Sequence, residues 1–220
     1  MKKITILFDL DGTLIDSTDA ILESFAYAFG KFDVKVPQKE KILSLIGHPL
    51  DFMFLHLGVA EEMVQNYVDA YKERYRVISK EKTSLLFGAR EAVELASSFA
   101  TLGVVTTKTA KYSAELLEHM KIMHFFEVLI GREDVIHPKP HPEPILKAMH
   151  KIDARKEHTW MIGDTCLDIK SANDATISSI AVLCGYGNER ELRRCSKYVK
   201  EGVLEAVELI RKVENTDLFK

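Results

Sequence analysis

Little in this sequence is in excess, and its shortages narrow its class first. Of 220 residues only three are cysteine: Cys166, Cys184 and Cys195. An odd count with no Cys-x-x-Cys spacing excludes a disulfide-rich scaffold and a zinc knuckle, so reduced thiols are expected, with Cys166 inert. No apolar run approaches the ~20 residues of a membrane span. The run Ile4–Phe8, behind Lys2 and Lys3, is ended by Asp9, too early for a signal peptide. Charge of one sign is scarce as well: 30 Lys and Arg face 33 Asp and Glu, a net charge of −3. No global positive field exists to hold a nucleic acid or an anionic membrane, so an anionic ligand must be held locally. Repeats and low-complexity segments are absent too. The expectation is a cytoplasmic chain, monomeric or homodimeric, with no nucleic-acid or membrane partner.

What is present is enough apolar residue, 46%, for a sizeable core. Ile4-Thr5-Ile6-Leu7-Phe8 is short, apolar and rich in β-branched residues, the pattern of a strand buried on both faces. From Ser17 or Thr18, as N-cap, the period changes to three and four through Ile21, Leu22, Phe25, Ala28 and Phe29. More helical stretches follow with no strand between them, so residues 16–84 read as all-helical; Tyr67, Tyr71 and Tyr75 stripe one of these helices as packing residues. After Gly88 helices alternate with strands at Leu102–Thr106, Val128–Ile130, Thr159–Ile162 and Ser179–Leu183. Such alternation implies parallel strands joined by right-handed crossovers, hence an α/β fold with a doubly wound, Rossmann-like sheet. The domain expectation is a core of residues 1–15 and 85–220 with a helical insertion of residues 16–84 after the first strand.

In doubly wound sheets ligands bind beyond the carboxyl ends of the strands. Asp9 and Asp11 follow the first strand, Thr106, Thr107 and Lys108 the second, and Gly163 and Asp164 the fourth; Lys139 lies in the loop after the third. Acids, a hydroxyl and a lysine thus converge from four distant segments. Two close carboxylates repel a phosphate unless a cation intervenes. Asp9, Asp164 and a backbone carbonyl form a hard oxygen set suited to Mg²⁺. With that charge offset, one carboxylate can attack phosphorus while the other protonates the leaving oxygen and later activates water.

Four segments, Asp9-Leu10-Asp11-Gly12-Thr13-Leu14-Ile15-Asp16-Ser17, Val104-Val105-Thr106, Pro138-Lys139-Pro140 and Gly163-Asp164-Thr165-Cys166-Leu167-Asp168, resemble in order the four motifs of the haloacid dehalogenase superfamily. The resemblance implies Asp9 as nucleophile, Asp11 as general acid and base, and Thr106 and Lys139 as phosphoryl-oxygen ligands. It also implies Mg²⁺ on Asp9, Asp164 and the Asp11 carbonyl, with Asp168 orienting the metal site from behind. The helical insertion resembles the family's small cap. Asp11 points to phosphatases and phosphomutases within the superfamily. Pro138-Lys139-Pro140-His141-Pro142-Glu143-Pro144 and Gly185-Tyr186-Gly187 are similar to phosphoglycolate phosphatases and a related inorganic pyrophosphatase. Thr176 stands where those enzymes have a glycine, and Thr107 where they usually have an asparagine.

The expected activity is therefore hydrolysis of a small phosphorylated metabolite, phosphoglycolate-like, with a phosphomutase or a pyrophosphatase as alternatives. A receiver-like phospho-accepting module is the non-enzyme alternative. Gly12, Thr107, Lys108 and His48 are the candidate substrate contacts; for Lys108 a solvated side chain is equally open, and for His48 an ordinary interhelical turn at Gly47-His48-Pro49 is the favoured alternative.

Overall fold

The computed structural model describes residues 4–216, so Lys2 and Lys3 of the amino-terminal basic pair lie outside it. The chain order is β1 (Ile4–Phe8), β2 (Ile15–Asp16), α1 (Thr18–Lys31), α2 (Lys39–Leu43), α3 (Leu50–His56), α4 (Val64–Ile78) and β3 (Ser84–Leu85). It continues with α5 (Ala89–Ser97), β4 (Ala100–Val105), α6 (Ala110–His119), β5 (Phe126–Ile130), α7 (Glu143–Lys151) and β6 (Thr159–Gly163). The last elements are α8 (Cys166–Asp174), β7 (Ser178–Val182), α9 (Glu189–Cys195), β8 (Val199–Lys200) and α10 (Val203–Thr216). Ser17–Ser84 forms one compact unit, and the described residues before and after it form the other. Among the described residues no helix is long and apolar enough to cross a membrane.

The larger unit is built on a six-stranded sheet in the order β5-β4-β1-β6-β7-β8, parallel throughout. The apolar run of β1 occupies the centre, between β4 and β6, and Ile6, Leu7 and Phe8 are fully buried. The α/β doubly wound expectation holds. From β1 the connections run one way, to β4 and β5, and from β6 they run the other way, to β7 and β8. The order therefore reverses between β1 and β6, where a doubly wound sheet leaves a crevice at its carboxyl edge.

In the smaller unit α1 and α4 pack through aromatic residues. Phe25 and Phe29 meet Phe54, Tyr67 and Tyr71 with ring centroids 4.8 to 5.9 Å apart, so the tyrosine stripe is packing. Glu23 pairs with Arg74 and Lys82, and Lys31 with Glu73, on the outside of the same helix pair.

Besides the two-residue strands β2 and β3, which take Asp16 and Ser84 at the ends of the region read as all-helical, two local features depart from the sequence reading. Helix α9 was not expected. Its Glu-Arg-Glu-Leu-Arg-Arg run buries only Leu192, too little for a period to show, and Asn188 caps it by accepting from the Glu191 amide at 3.3 Å. The second is a correction: Cys166 and Cys195 are not reduced thiols but a disulfide, with Cα atoms 6.1 Å apart. Their separation of 29 residues carries no spacing signal. What joins them is the packing of α8 on α9 around Ile169, Ala181 and Leu192, which seats both sulfurs on one apolar cluster.

Thr176 shows what its departure from the family pattern costs. Helix α8 ends with Ile177 N–H on the Ala172 carbonyl and Thr176 N–H on the Asn173 carbonyl, both 3.0 Å, a Schellman closure. That closure holds Thr176 at φ +62°, a left-handed conformation that β-branched residues resist and glycine adopts freely. Thr176→Gly is expected to stabilise the chain by about 1 kcal/mol, a rise in Tm of ~2–4 °C in a thermal melt.

Candidate active site

At the carboxyl edge the sheet continues for one residue past β1. The Asp9 amide donates to the Ile162 carbonyl at 2.9 Å, which aims the Asp9 side chain into the crevice between β1 and β6 and leaves it buried. The chain then turns back on itself, with Gly12 at φ +81° and its amide on the Ile15 carbonyl. This turn brings the Thr13 hydroxyl to Asp164, where it donates to Oδ1 at 3.0 Å. The other oxygen, Oδ2, accepts from the Tyr186 amide at 2.8 Å. A Cβ on Gly12 would lie 2.3 Å from Asp164 Oδ2, and one on Gly185 2.2 Å from it, so both chain segments reach the carboxylate only as glycine.

Lys139 is buried under these acids. Its Nζ is 2.8 Å from Asp9 Oδ1 and 2.5 Å from Asp168 Oδ1, and it donates to the Val105 carbonyl at 3.0 Å. The second oxygen of Asp168 accepts from the amide and hydroxyl of Thr165, at 3.0 and 2.7 Å, which ties it to the start of α8. Asp9, Asp164 and Asp168 thus bring three carboxylate oxygens within 4.8 Å of one another.

Burial pushes the Asp9 carboxyl up to about 7; Lys139 draws it down and Asp168 pushes it up further. Asp164 lies well above the ordinary carboxylate range because of its burial, then the charges of Asp9 and Asp168. Burial pulls the Lys139 ammonium down, yet Asp168 and Asp9 outweigh it and hold the group above its usual value. A buried, oxygen-only donor set that resists its own ionisation fits a hard divalent cation, which relieves the repulsion among the acids.

One strand over, the Thr106 amide donates to the Ile130 carbonyl at 2.9 Å, and its hydroxyl accepts from the Lys108 amide at 3.1 Å. The Lys108 ammonium lies 3.2 Å from Asp11 Oδ2. One residue therefore ties the loop after β4 to the loop after β1. Residues 6–182 match the model of the haloacid dehalogenase-like hydrolase family. The chain belongs to that family.

Among relatives of this hydrolase, the pyrophosphatase PpaX of Bacillus mycoides (strain KBAB4) is 35% identical over 185 residues, covering 83% of this chain and 84% of its own. A predicted phosphatase from Clostridium acetobutylicum shares the structure with a TM-score of 0.87 at 26% identity, over 96% of this chain and all, 100%, of its own. A predicted phosphoglycolate phosphatase from Haemophilus somnus 129pt has a TM-score of 0.84 at 20% identity, over 95% of this chain and 98% of its own, a likeness of fold.

In the hydrolase, Asp9, Lys139 and Asp168 form one connected group with Asp164 beside it, and Thr106, Lys108 and Asp11 form a second chain of contacts. The Asp11 carboxylate is outside the three-carboxylate set and engages Lys108 instead. Thr107 is half-buried beside Thr106. His48 belongs to the helical unit, where its ring stacks on Phe52 at 4.1 Å and Phe52 stacks on His56 at 3.7 Å. Partial burial, then the neighbouring His56, lowers the His48 pKa. Cys184, half-buried with Sγ 3.5 Å from the Gly12 carbonyl, is held as a thiol by burial and by Asp164, its pKa pushed up to about 11.

The sequence reading missed the groups that hold the acids in place: the Thr13 hydroxyl, Thr165 and the Tyr186 amide. All three stand inside segments singled out for their resemblance. A backbone amide leaves no residue-type signal, however, and a threonine beside an acid is common in any turn.

Proposed function

We propose that this hydrolase is a Mg²⁺-dependent phosphatase that moves the phosphoryl group of a small phosphorylated compound first to Asp9 and then to water. The observation that carries the reading is the buried Lys139 ammonium, 2.8 Å from Asp9 and 2.5 Å from Asp168, beside the fixed carboxylate of Asp164.

Asp9, Asp164 and the Asp11 backbone carbonyl would hold the ion, with Asp168 behind them through Lys139 and Thr165. Bound there, Mg²⁺ supplies positive charge that offsets the dianionic phosphoryl group. Asp9, flanked by Lys139, attacks phosphorus through a carboxylate oxygen and forms an acyl phosphate. Asp11 gives its proton to the departing oxygen, then takes one from the water that hydrolyses the acyl phosphate, while Lys108 holds it in place. The Thr106 hydroxyl and the Lys139 ammonium bind phosphoryl oxygens as charge builds on them. Gly12, Thr107 and Lys108 line this edge as substrate contacts, and His48 is the helical unit's candidate for substrate choice.

Two substrates lead. Pyrophosphate is favoured by the relative named a pyrophosphatase at 35% identity. Phosphoglycolate is favoured by the resemblance of the Pro138–Pro144 and Gly185–Gly187 segments. Phosphate release should be followed with Mg²⁺ over pyrophosphate, phosphoglycolate, sugar phosphates and nucleotides. One compound is expected to lead in kcat/KM by about tenfold or more, with continuous turnover and loss of activity in chelator. Chelator-insensitive release overturns the reading, as does isomer formation from a hexose phosphate or a single lasting phosphorylation without turnover.

The raised pKa of Asp9 predicts a pH dependence with a definite sign. Its value of about 7 in the metal-free fold, against an ordinary 3.8, means the folded chain holds more protons than the unfolded chain between those limits. Metal-free stability should therefore fall as pH rises through that window. A cation that replaces the proton removes the penalty. The rise in Tm on adding Mg²⁺ should grow between about pH 5 and about pH 8, and the apparent affinity should grow with it. A Mg²⁺ effect independent of pH would contradict this.

A further inference from the structure

We propose that Cys166 and Cys195 form a reversible dithiol–disulfide site, oxidised by low-molecular-weight disulfides, whose closed state clamps the chain around Asp164. Cys166 is the first residue of α8, between Asp164 and Asp168 in the chain, and Cys195 is the last residue of α9. The bond closes a ring across a separation of 29 residues; Asp164 stands just before the ring's first cysteine, and the ring's far side returns to it. On the far pass the Tyr186 amide donates to Asp164 Oδ2 at 2.8 Å, and a Cβ on Gly187 would lie 1.9 Å from the Asp164 carbonyl oxygen.

The segment that holds the carboxylate therefore lies within the ring, and the segment that bears it leads directly into the ring's first cysteine. Joining the ends removes chain freedom that opening this loop would otherwise recover. Both cysteines are half-buried at the edge of the Ile169, Ala181 and Leu192 cluster, which leaves them open to a small disulfide. Cys184 lies within the same ring and stays a free thiol, so the pairing is set by the packing of α8 on α9.

The exchange balances in two steps. One cysteine thiolate attacks a sulfur of the disulfide RSSR, giving a mixed disulfide and RS⁻. The second thiolate then attacks the protein sulfur of that mixed disulfide and expels the other RS⁻. The two thiols have given up two electrons and two protons, and RSSR has become two RSH. Excess thiol reverses both steps.

The test equilibrates the full chain in buffers of graded oxidised and reduced glutathione, then traps free thiols with an alkylating reagent for mass spectrometry. On the oxidised side one alkylated cysteine, Cys184, and a linked Cys166–Cys195 peptide are expected; on the reduced side, three alkylated cysteines. Hydrogen exchange at the Thr165 and Tyr186 amides should quicken about tenfold on reduction, while the Ser17–Ser84 unit stays unchanged. Cys195→Ser should exchange like the reduced chain at every glutathione ratio. If it does not fold, the oxidised and reduced natural chains decide the matter alone.

Alkylation of Cys166 and Cys195 at every ratio overturns the proposal, as does identical exchange in the two states. The expected several-fold weaker Mg²⁺ affinity of the reduced chain rests on the function proposed above. Faster exchange without any change in Mg²⁺ affinity would support the redox site and count against that reading of the metal acids.

Discussion

Asp9→Asn is expected to lower kcat by about a thousandfold or more while the chain still folds, because an amide cannot attack phosphorus or carry the acyl phosphate. The stability arm gives the prediction its force. Asp9 is a buried carboxyl held up at about 7 by burial and by Asp168, so the neutral amide removes charge that the metal-free fold resists. The Lys139–Asp168 pair, 2.5 Å apart in the natural chain, is untouched by the change. The metal-free Tm of Asp9→Asn at about pH 8 should equal or exceed that of the natural chain. Phosphate release and a thermal melt on the same preparation check both. Residual kcat within tenfold of the natural value would mean that another group is the nucleophile.

Lys139→Met should fail in the opposite manner, losing stability along with activity. Methionine matches the unbranched lysine stem as far as Cε, so the change isolates the ammonium. Removing it leaves Asp9 and Asp168 buried without their shared cation and the Val105 carbonyl without its donor. Breaking a buried pair costs about 3–5 kcal/mol, a fall in Tm of roughly 6–20 °C for a chain of this size. The kcat should fall about a hundredfold to a thousandfold through loss of charge stabilisation on the phosphoryl oxygens. Added Mg²⁺ should recover part of the stability and little of the rate. Lys139→Arg should also be impaired, since a planar fork cannot replace one nitrogen that reaches three oxygens in different directions. A Tm within about 2 °C of the natural chain in Lys139→Met would show that the ion pair is not the buried device described above.

Much of this site is legible from residue types alone. A central parallel strand is buried on both faces, so Ile4–Phe8 has to be apolar, and the first acids after it mark the carboxyl edge. The same logic places Thr106 and Asp164 at the ends of β4 and β6, and the helical run from Ser17 shows in its three-and-four spacing. Each of these signals lies within a few residues, where periodicity and turn chemistry act.

Partnership between distant residues was not legible in the same way. The sequence puts Asp9, Asp11, Lys108 and Lys139 at one edge without assigning partners. The fold pairs Lys139 with Asp9 and Asp168, and Lys108 with Asp11, across the turn at Gly12. Asp168 could have been a helix-start acid alone. In the structure one of its oxygens caps α8 through Thr165 while the other holds Lys139.

The sequence by itself thus determined the family of this hydrolase, its doubly wound sheet and the residue types that meet at the sheet edge, because each is written in local patterns of burial, turning and charge. Only the tertiary structure decided which lysine serves which carboxylate, that two cysteines with no spacing signal are bonded, and that Thr176 sits in a conformation suited to glycine. Those outcomes depend on the distances at which packed helices and strand ends meet, and no spacing along the chain encodes such distances.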